Sequence, residues 1–192
     1  MNFKEALLCS ILAQSAYNNR CDEPDFQITA KFENAGTNTQ GFFGVAYKNT
    51  FVVAFRGSEE TGAADWITDL KFVQTKVPFI SGNNALESHY GFIEAYNSVR
   101  DAVLKGAKDT PHKKVITVGH SLGGALATLS ALDIKQNVPG KTVACYTFGS
   151  PKVGNKAFAD FYNKNIPETY RWVNGADMVP NIPPGDYYHV GQ

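Results

Sequence analysis

The second half of the chain alternates short, nearly continuous apolar runs with longer segments of helical periodicity. The runs KVITVG (114–119), KTVACYTFG (141–149) and TYRWVN (169–174) are typical of strands, and segments 121–136 and 155–164 favour helices. Strands that alternate with helices form βαβ units, in which helices cover a parallel sheet. We therefore expect an α/β fold with a mixed, mostly parallel central sheet and helices on both faces.

The first half of the chain predicts the antiparallel part of that sheet. Three strand-like runs, FQITAKFE (26–33), GFFGVAYK (41–48) and FVVAFRG (51–57), follow one another across short polar turns, a pattern typical of a hairpin or meander. Residues 87–107 then repeat apolar side chains at helical spacing, which predicts a long helix before the first parallel crossover.

The N-terminal segment has two interpretations. Lys4, a short apolar stretch and the small residues at 13–16 imitate a secretory signal, whereas Glu5 lies where such a signal is basic. The segment also places residues on one helical stripe, which favours a retained helix: Phe3, Ala6, Leu7, Ser10, Ile11 and Gln14. We favour the retained helix and a cytoplasmic location, with secretion as the alternative.

Composition and charge favour one domain over residues 1–192. Hydrophobic residues make up 43% of the chain, enough for one sizeable core. The 18 basic and 18 acidic residues cancel, so no net field attracts nucleic acid. No apolar run approaches the roughly 20 residues of a membrane helix, and the three cysteines resemble neither a zinc site nor a disulfide framework. We expect a monomer with unpaired thiols and no metal.

The motif GHSLG places Ser121 between Gly119 and Gly123, after a buried strand and before an alanine-rich helix. This setting is typical of the nucleophile elbow of α/β-hydrolases, a tight turn that exposes the serine hydroxyl at the carboxyl end of a strand. Glycines are needed there because a β-carbon would collide with the neighbouring strand or helix. The alternative is an ordinary turn in which Ser121 only caps the helix.

A serine hydroxyl needs a base, and histidine is the usual one. His89 precedes a long helix, His112 lies in a lysine cluster, and His120 adjoins Ser121 too closely to reach its Oγ. His189 lies in GDYYHVG, after the last clear strand, and is therefore the predicted base.

An acid should orient that imidazole and stabilise its protonated form. Asp177 follows YRWVNGA, at the carboxyl end of a strand, where parallel sheets bind ligands. Asp186 is the alternative, although its position three residues before His189 favours a turn or a local hydrogen bond.

Two backbone N–H groups are predicted to bind the oxyanion. Leu122 begins the helix after the nucleophile, and Ser58 follows the strand FVVAFRG, in the loop where the second donor is expected. Ser58 has the alternative of simply beginning a turn.

These motifs resemble those of the class 3 lipases, the fungal-type triacylglycerol lipase family that also includes feruloyl esterases. The matching segments lie within residues 51–191: VVAFRGS, DWITDL, HYGFIEAY, VITVGHSLGGALATL, YTFGSPKVGNKAFADF, RWVNGADMVPNIPP and YYHVG. The resemblance implies an α/β-hydrolase fold with the triad Ser121, Asp177 and His189. It also implies oxyanion groups at Ser58 and Leu122, and no metal or organic cofactor.

The resemblance further implies a lid after the FRGS motif. It would comprise Glu59, Glu60, Thr61, Gly62, Ala63, Ala64, Asp65 and Trp66. A lid that opens on lipid normally carries an apolar face, and this segment is acidic and only modestly apolar apart from Trp66. We expect at most transient contact with a lipid interface.

The sequence therefore predicts a serine esterase or lipase that cleaves lipid or other small esters through an acyl-enzyme. An amide or thioester hydrolase on the same triad is one alternative, because the triad does not choose the leaving group. A non-catalytic, lipase-like interaction module is the other.

Overall fold

The computed structural model describes residues 2–58 and 72–191. Along the chain, its elements are α1 (Phe3–Ser15), β1 (Phe26–Asn34), β2 (Thr39–Ala46), β3 (Thr50–Phe55), β4 (Gln74–Lys76), β5 (Glu87–His89), α2 (Tyr90–Asp109), β6 (Lys114–His120), α3 (Leu122–Asn137), β7 (Thr142–Phe148), α4 (Lys156–Asn165), β8 (Thr169–Trp172) and a 3₁₀ turn at Val179–Asn181. The lid predicted at residues 59–66 lies outside the described residues.

The described strands form a central sheet in the order β1-β2-β3-β6-β7-β8. The pairs β1–β2 and β2–β3 are antiparallel, and the pairs β3–β6, β6–β7 and β7–β8 are parallel. The register places Phe55 opposite Gly119, and His120 opposite Phe148, so that the carboxyl ends of β3, β6 and β7 meet at one edge. This mixed, mostly parallel sheet confirms the predicted fold class.

Helices cover both faces of the sheet and enclose two apolar clusters. Val115 belongs to the cluster under α2, α3 and α4, whereas the next residue, Ile116, belongs to the cluster under α1. The strand β6 is buried on both faces from Val115 to Gly119, which explains why its sequence is apolar without alternation.

Helix α1 packs through a different face from the predicted stripe. It buries Glu5, Ala6, Leu8, Cys9, Leu12, Ala13 and Ser15. Phe3 and Leu7, two residues of the predicted stripe, are instead 78% and 64% exposed. The helix is apolar on both sides, so spacing alone does not select the buried face.

Glu5 explains part of that choice, because it joins α1 to the sheet. One of its carboxylate oxygens accepts a hydrogen bond from the Tyr146 hydroxyl at 2.7 Å, and the other pairs with Lys114. A buried carboxylate requires such partners.

The long helix begins three residues later than predicted. Glu87–His89 pair as β5 with β4, and the Ser88 hydroxyl donates to the Val153 carbonyl at 2.7 Å. These long-range hydrogen bonds hold the segment extended, although its periodicity fits a helix. As predicted, the three cysteines are free thiols, with Cys9 and Cys145 buried. Among the described helices, none has the length and apolarity to cross a membrane.

Candidate active site

Ser121 occupies a strained turn between β6 and α3. Its backbone lies at φ 54° and ψ −128°, a region that non-glycine residues rarely adopt. Its N–H donates to the Phe148 carbonyl at 2.9 Å, which fixes the turn against β7. The Ser121 Oγ is buried and has no hydrogen-bond partner in the structure. It makes no capping bond to α3, so the helix-cap interpretation is wrong.

The two flanking glycines permit this turn. A β-carbon on Gly119 would lie 2.1 Å from the Gly123 carbonyl oxygen, and one on Gly123 would lie 2.4 Å from the Phe55 carbonyl oxygen. Both obstacles are backbone atoms that no rotamer change can move. The sequence prediction that these positions require glycine is thereby confirmed.

The loop after β3 lies directly against the elbow. A β-carbon on Gly57 would lie 2.5 Å from the His120 carbonyl oxygen, so Ser58 follows a residue in contact with the turn that carries Ser121. Leu122 is the first residue of α3, and N–H groups in the first turn of a helix have no partner within it. Both predicted oxyanion donors thus belong to segments that meet at the elbow, and their role stays a prediction.

Asp177 lies in the loop after β8, on the side of the elbow. Its Oδ1 accepts a hydrogen bond from the Val179 N–H at 2.9 Å. Its Oδ2 lies 2.5 Å from the position that a Gly149 β-carbon would take, and the His120 Nε2 lies 3.4 Å from the same point. Asp186 is exposed, and its carbonyl accepts a hydrogen bond from the Gln74 side chain at 2.6 Å. The structure therefore brings Asp177, and not Asp186, beside the elbow.

His189 does not join Ser121 to Asp177. Its Nε2 lies 2.7 Å from the Pro180 carbonyl oxygen, and it makes no hydrogen bond with either residue in the described structure. Burial first, and the charge of Arg171 second, lower the pKa of His189 to about 4, so the ring is neutral and donates to the Pro180 carbonyl. The described residues therefore do not show the predicted hydrogen-bonded order of alcohol, imidazole and carboxylate, and the role of His189 stays a prediction.

The comparisons with known proteins identify the family. The family model for class 3 lipases matches residues 52–187. This chain belongs to the class 3 lipase family.

Fungal lipases are similar to this chain in sequence. The lipase of Rhizomucor miehei is 38% identical over 154 residues, which cover 76% of this chain and 41% of the relative. Secreted mono- and diacylglycerol lipase 1 of Fusarium solani is 36% identical over 141 residues, which cover 71% of this chain and 40% of the relative. The chain thus matches about two-fifths of the length of these relatives.

Solved lipase structures share the fold over nearly the whole chain. The propeptide complex of the Rhizomucor miehei lipase superposes with a TM-score of 0.86 at 30% identity. The superposition covers 97% of this chain and 66% of the lipase chain. A triacylglycerol lipase described as having a serine protease triad at its catalytic centre has the same TM-score and identity, and the match covers 98% of this chain and 78% of that one.

The names of the relatives also correct the expected location. Lipases from Fusarium solani and Penicillium cyclopium are named as secreted proteins, which contradicts the cytoplasmic location expected from the N-terminal segment. Glu5 does not indicate the compartment, because its role is to join α1 to the sheet.

The contacts of His189 predict that its replacement has little effect on ester hydrolysis. In His189→Gln, the amide N–H can still donate to Pro180, so we expect turnover within about threefold of the parent. The pKa of His189 is lower in the folded chain than the usual 6.5. Between about pH 6.5 and about pH 4, the unfolded chain therefore binds a proton at this residue that the folded chain does not. The parent should therefore lose more stability than His189→Gln as the pH falls through that window. Urea midpoints and ester turnover at several pH values measure both effects. A loss of about 10³ or more in turnover would restore His189 as the base.

One contact at the elbow was missed by sequence reasoning. The Tyr17 hydroxyl lies 2.7 Å from the His120 Nδ1, although the two residues are 103 positions apart. Nothing local to Tyr17, a tyrosine after a helix, predicts this contact.

Proposed function

We propose that this chain hydrolyses carboxylic esters of lipids, with Ser121 as the nucleophile that carries the acyl group. The observation that supports the proposal most is Ser121 itself. Its backbone is strained at the start of α3, and its buried Oγ has no hydrogen-bond partner among the described residues. A structural serine in such a position would bond to a neighbouring backbone group.

The steps follow those of acyl transfer. The Oγ attacks the ester carbonyl as a base removes its proton, and the tetrahedral oxyanion is bound by the N–H groups of Leu122 and Ser58. The alcohol then leaves with that proton. Water attacks the acyl-enzyme by the same sequence and releases the acid. The helix dipole of α3 favours the negative charge that develops at its N-terminus.

Asp177 is proposed as the acid that orients the base. Its Oδ1 is held by the Val179 N–H, and its Oδ2 remains directed to the side of the elbow where Gly149 lies. Because Oγ has no partner in the described structure, the base reaches Ser121 by a step that this structure does not contain.

The proposed substrates are acylglycerols or related lipid esters. The relatives of this chain include a triacylglycerol lipase and secreted mono- and diacylglycerol lipases, which supports this class. Nitrophenyl esters of increasing chain length, measured below and above the micelle threshold, test it together with a matched nitroanilide. We expect the ester to be hydrolysed and the anilide to remain intact. Equal cleavage of both would assign an amide hydrolase instead.

One observation favours a second candidate, a lipase-like interaction module without catalysis. The imidazole predicted to serve Ser121 is hydrogen-bonded to the Pro180 carbonyl instead. Such a module would show no ester hydrolysis that depends on Ser121.

A further inference from the structure

A polar contact joins the N-terminal segment to the nucleophile elbow. The Tyr17 hydroxyl lies 2.7 Å from the His120 Nδ1, and the two rings are tilted by 55° with their centroids 5.9 Å apart. His120 directly precedes Ser121 and is the last residue of β6. Tyr17 therefore contacts the turn that sets the position of the nucleophile.

The same hydroxyl also lies against the loop that carries the predicted second oxyanion donor. A β-carbon on Gly57 would lie 2.3 Å from the Tyr17 Oη and 2.5 Å from the His120 carbonyl oxygen. Glycine at position 57 thus leaves the space in which the phenol reaches the elbow. Ser58 is the next residue of the same loop.

The other nitrogen of His120 lies on the side of the proposed acid. The His120 Nε2 and the Asp177 Oδ2 lie 3.4 Å and 2.5 Å from one point, the position of a Gly149 β-carbon. Desolvation lowers the pKa of His120 and the charge of Asp177 raises it, with a net lowering from 6.5. The ring is therefore neutral at neutral pH and has one N–H and one lone pair.

The carboxylate decides which nitrogen carries the hydrogen. A carboxylate only accepts hydrogen bonds, so its position on the Nε2 side favours a hydrogen on Nε2. The lone pair then lies on Nδ1, where it accepts the hydrogen of the Tyr17 hydroxyl. Each group in the series from Tyr17 through His120 to Asp177 thus has a defined polarity.

We propose that Tyr17 and His120 are positioning residues for the hydrolysis proposed above. The hydrogen bond from the Tyr17 hydroxyl stabilises the Nε2–H tautomer of His120, which keeps an N–H group, and not a lone pair, on the side of Asp177. The phenol also keeps the loop of Gly57 and Ser58 at a fixed distance from the elbow. Neither residue touches the reacting atoms. The proposal rests on the proposed function, because positioning has meaning only if the ester reaction occurs.

The tautomer can be measured without any catalysis. Nitrogen-15 NMR of the full chain should show His120 as the Nε2–H tautomer with an Nδ1 resonance shifted by the hydrogen bond from Tyr17, and Tyr17→Phe should remove that shift. Tyr47→Phe is the matched control, since the Tyr47 hydroxyl bonds to the Lys4 carbonyl at 3.4 Å, in the first turn of α1. An Nδ1–H tautomer in the parent, or an unchanged Nδ1 resonance in Tyr17→Phe, would overturn the proposal.

Kinetics then test the positioning role. We expect Tyr17→Phe to lower kcat about tenfold with KM within about twofold, which is the loss of one hydrogen bond of ordinary strength. His120→Gln can still donate from the position of Nε2 and should keep most of the activity, whereas His120→Leu should lose at least as much as Tyr17→Phe. Melting temperatures report whether each variant folds. Equal activity of His120→Gln and His120→Leu would contradict the role of the Nε2–H group. If Tyr17→Phe changes the Nδ1 resonance but the parent chain hydrolyses no ester, the tautomer assignment is supported, whereas the positioning role and the proposed function are overturned.

Discussion

Ser121→Ala is expected to lower the turnover number for ester hydrolysis by about 10⁴, because no acyl-enzyme can form without the hydroxyl. The substitution should not weaken the fold. The Ser121 Oγ has no hydrogen-bond partner in residues 2–58 and 72–191, so its removal leaves no polar group there unsatisfied. The measurement is the turnover number with a soluble nitrophenyl ester, together with the melting temperature of each variant.

Ser10→Ala is a suitable control for this variant. The Ser10 hydroxyl bonds to the Leu7 carbonyl within α1, away from the elbow, so turnover should stay at the parental value. If Ser121→Ala keeps activity within tenfold of the parent while Ser10→Ala behaves as expected, Ser121 is not the nucleophile.

Asp177→Asn is expected to lower turnover by about 10³ to 10⁴. The amide oxygen can still accept the Val179 N–H, so the loop after β8 should keep its conformation while the charge beside the elbow is lost. Without that charge, the protonated base formed in the transition state is no longer stabilised. The measurement compares turnover and KM of the variant with those of the parent at neutral pH.

Asp186→Asn separates the acid from its sequence alternative. The Asp186 carbonyl accepts a hydrogen bond from the Gln74 side chain, and the substitution preserves that carbonyl. We expect parental activity. If Asp186→Asn lost activity and Asp177→Asn did not, the assignment of the acid would be reversed.

The sheet and the elbow could be predicted because their causes are local. The strand β6 is buried on both faces, and its five consecutive buried residues leave a continuous apolar run in the sequence. Gly119 and Gly123 are required by backbone atoms within a few residues or on the adjacent strand. Such constraints are visible in a short motif.

The face of α1 and the start of α2 could not be predicted in the same way. Leu7 and Leu8 are adjacent and equally apolar, yet Leu7 is 64% exposed and Leu8 is 6% exposed. The buried side is selected by Tyr146 and Lys114, which bind Glu5 from distant strands. A long-range hydrogen-bond partner of this kind leaves no local signal.

The environment of each histidine was also beyond sequence reasoning. The sequence favours His189 as the base because the other histidines have poorer positions. Nothing in the sequence shows that the His189 Nε2 bonds to the Pro180 carbonyl. The partnership of His120 with Tyr17 depends on the packing of the segment after α1 against the elbow. Both outcomes depend on contacts that form only when the chain is folded.

The central claim is that the hydroxyl of Ser121 attacks the carbonyl of the substrate. Mass spectrometry of the full chain after treatment with a fluorophosphonate, followed by peptide mapping, tests it directly. We predict one adduct per chain, on the peptide that contains Ser121, and none in Ser121→Ala. An adduct at another residue, or no adduct on a folded parent, would contradict the account.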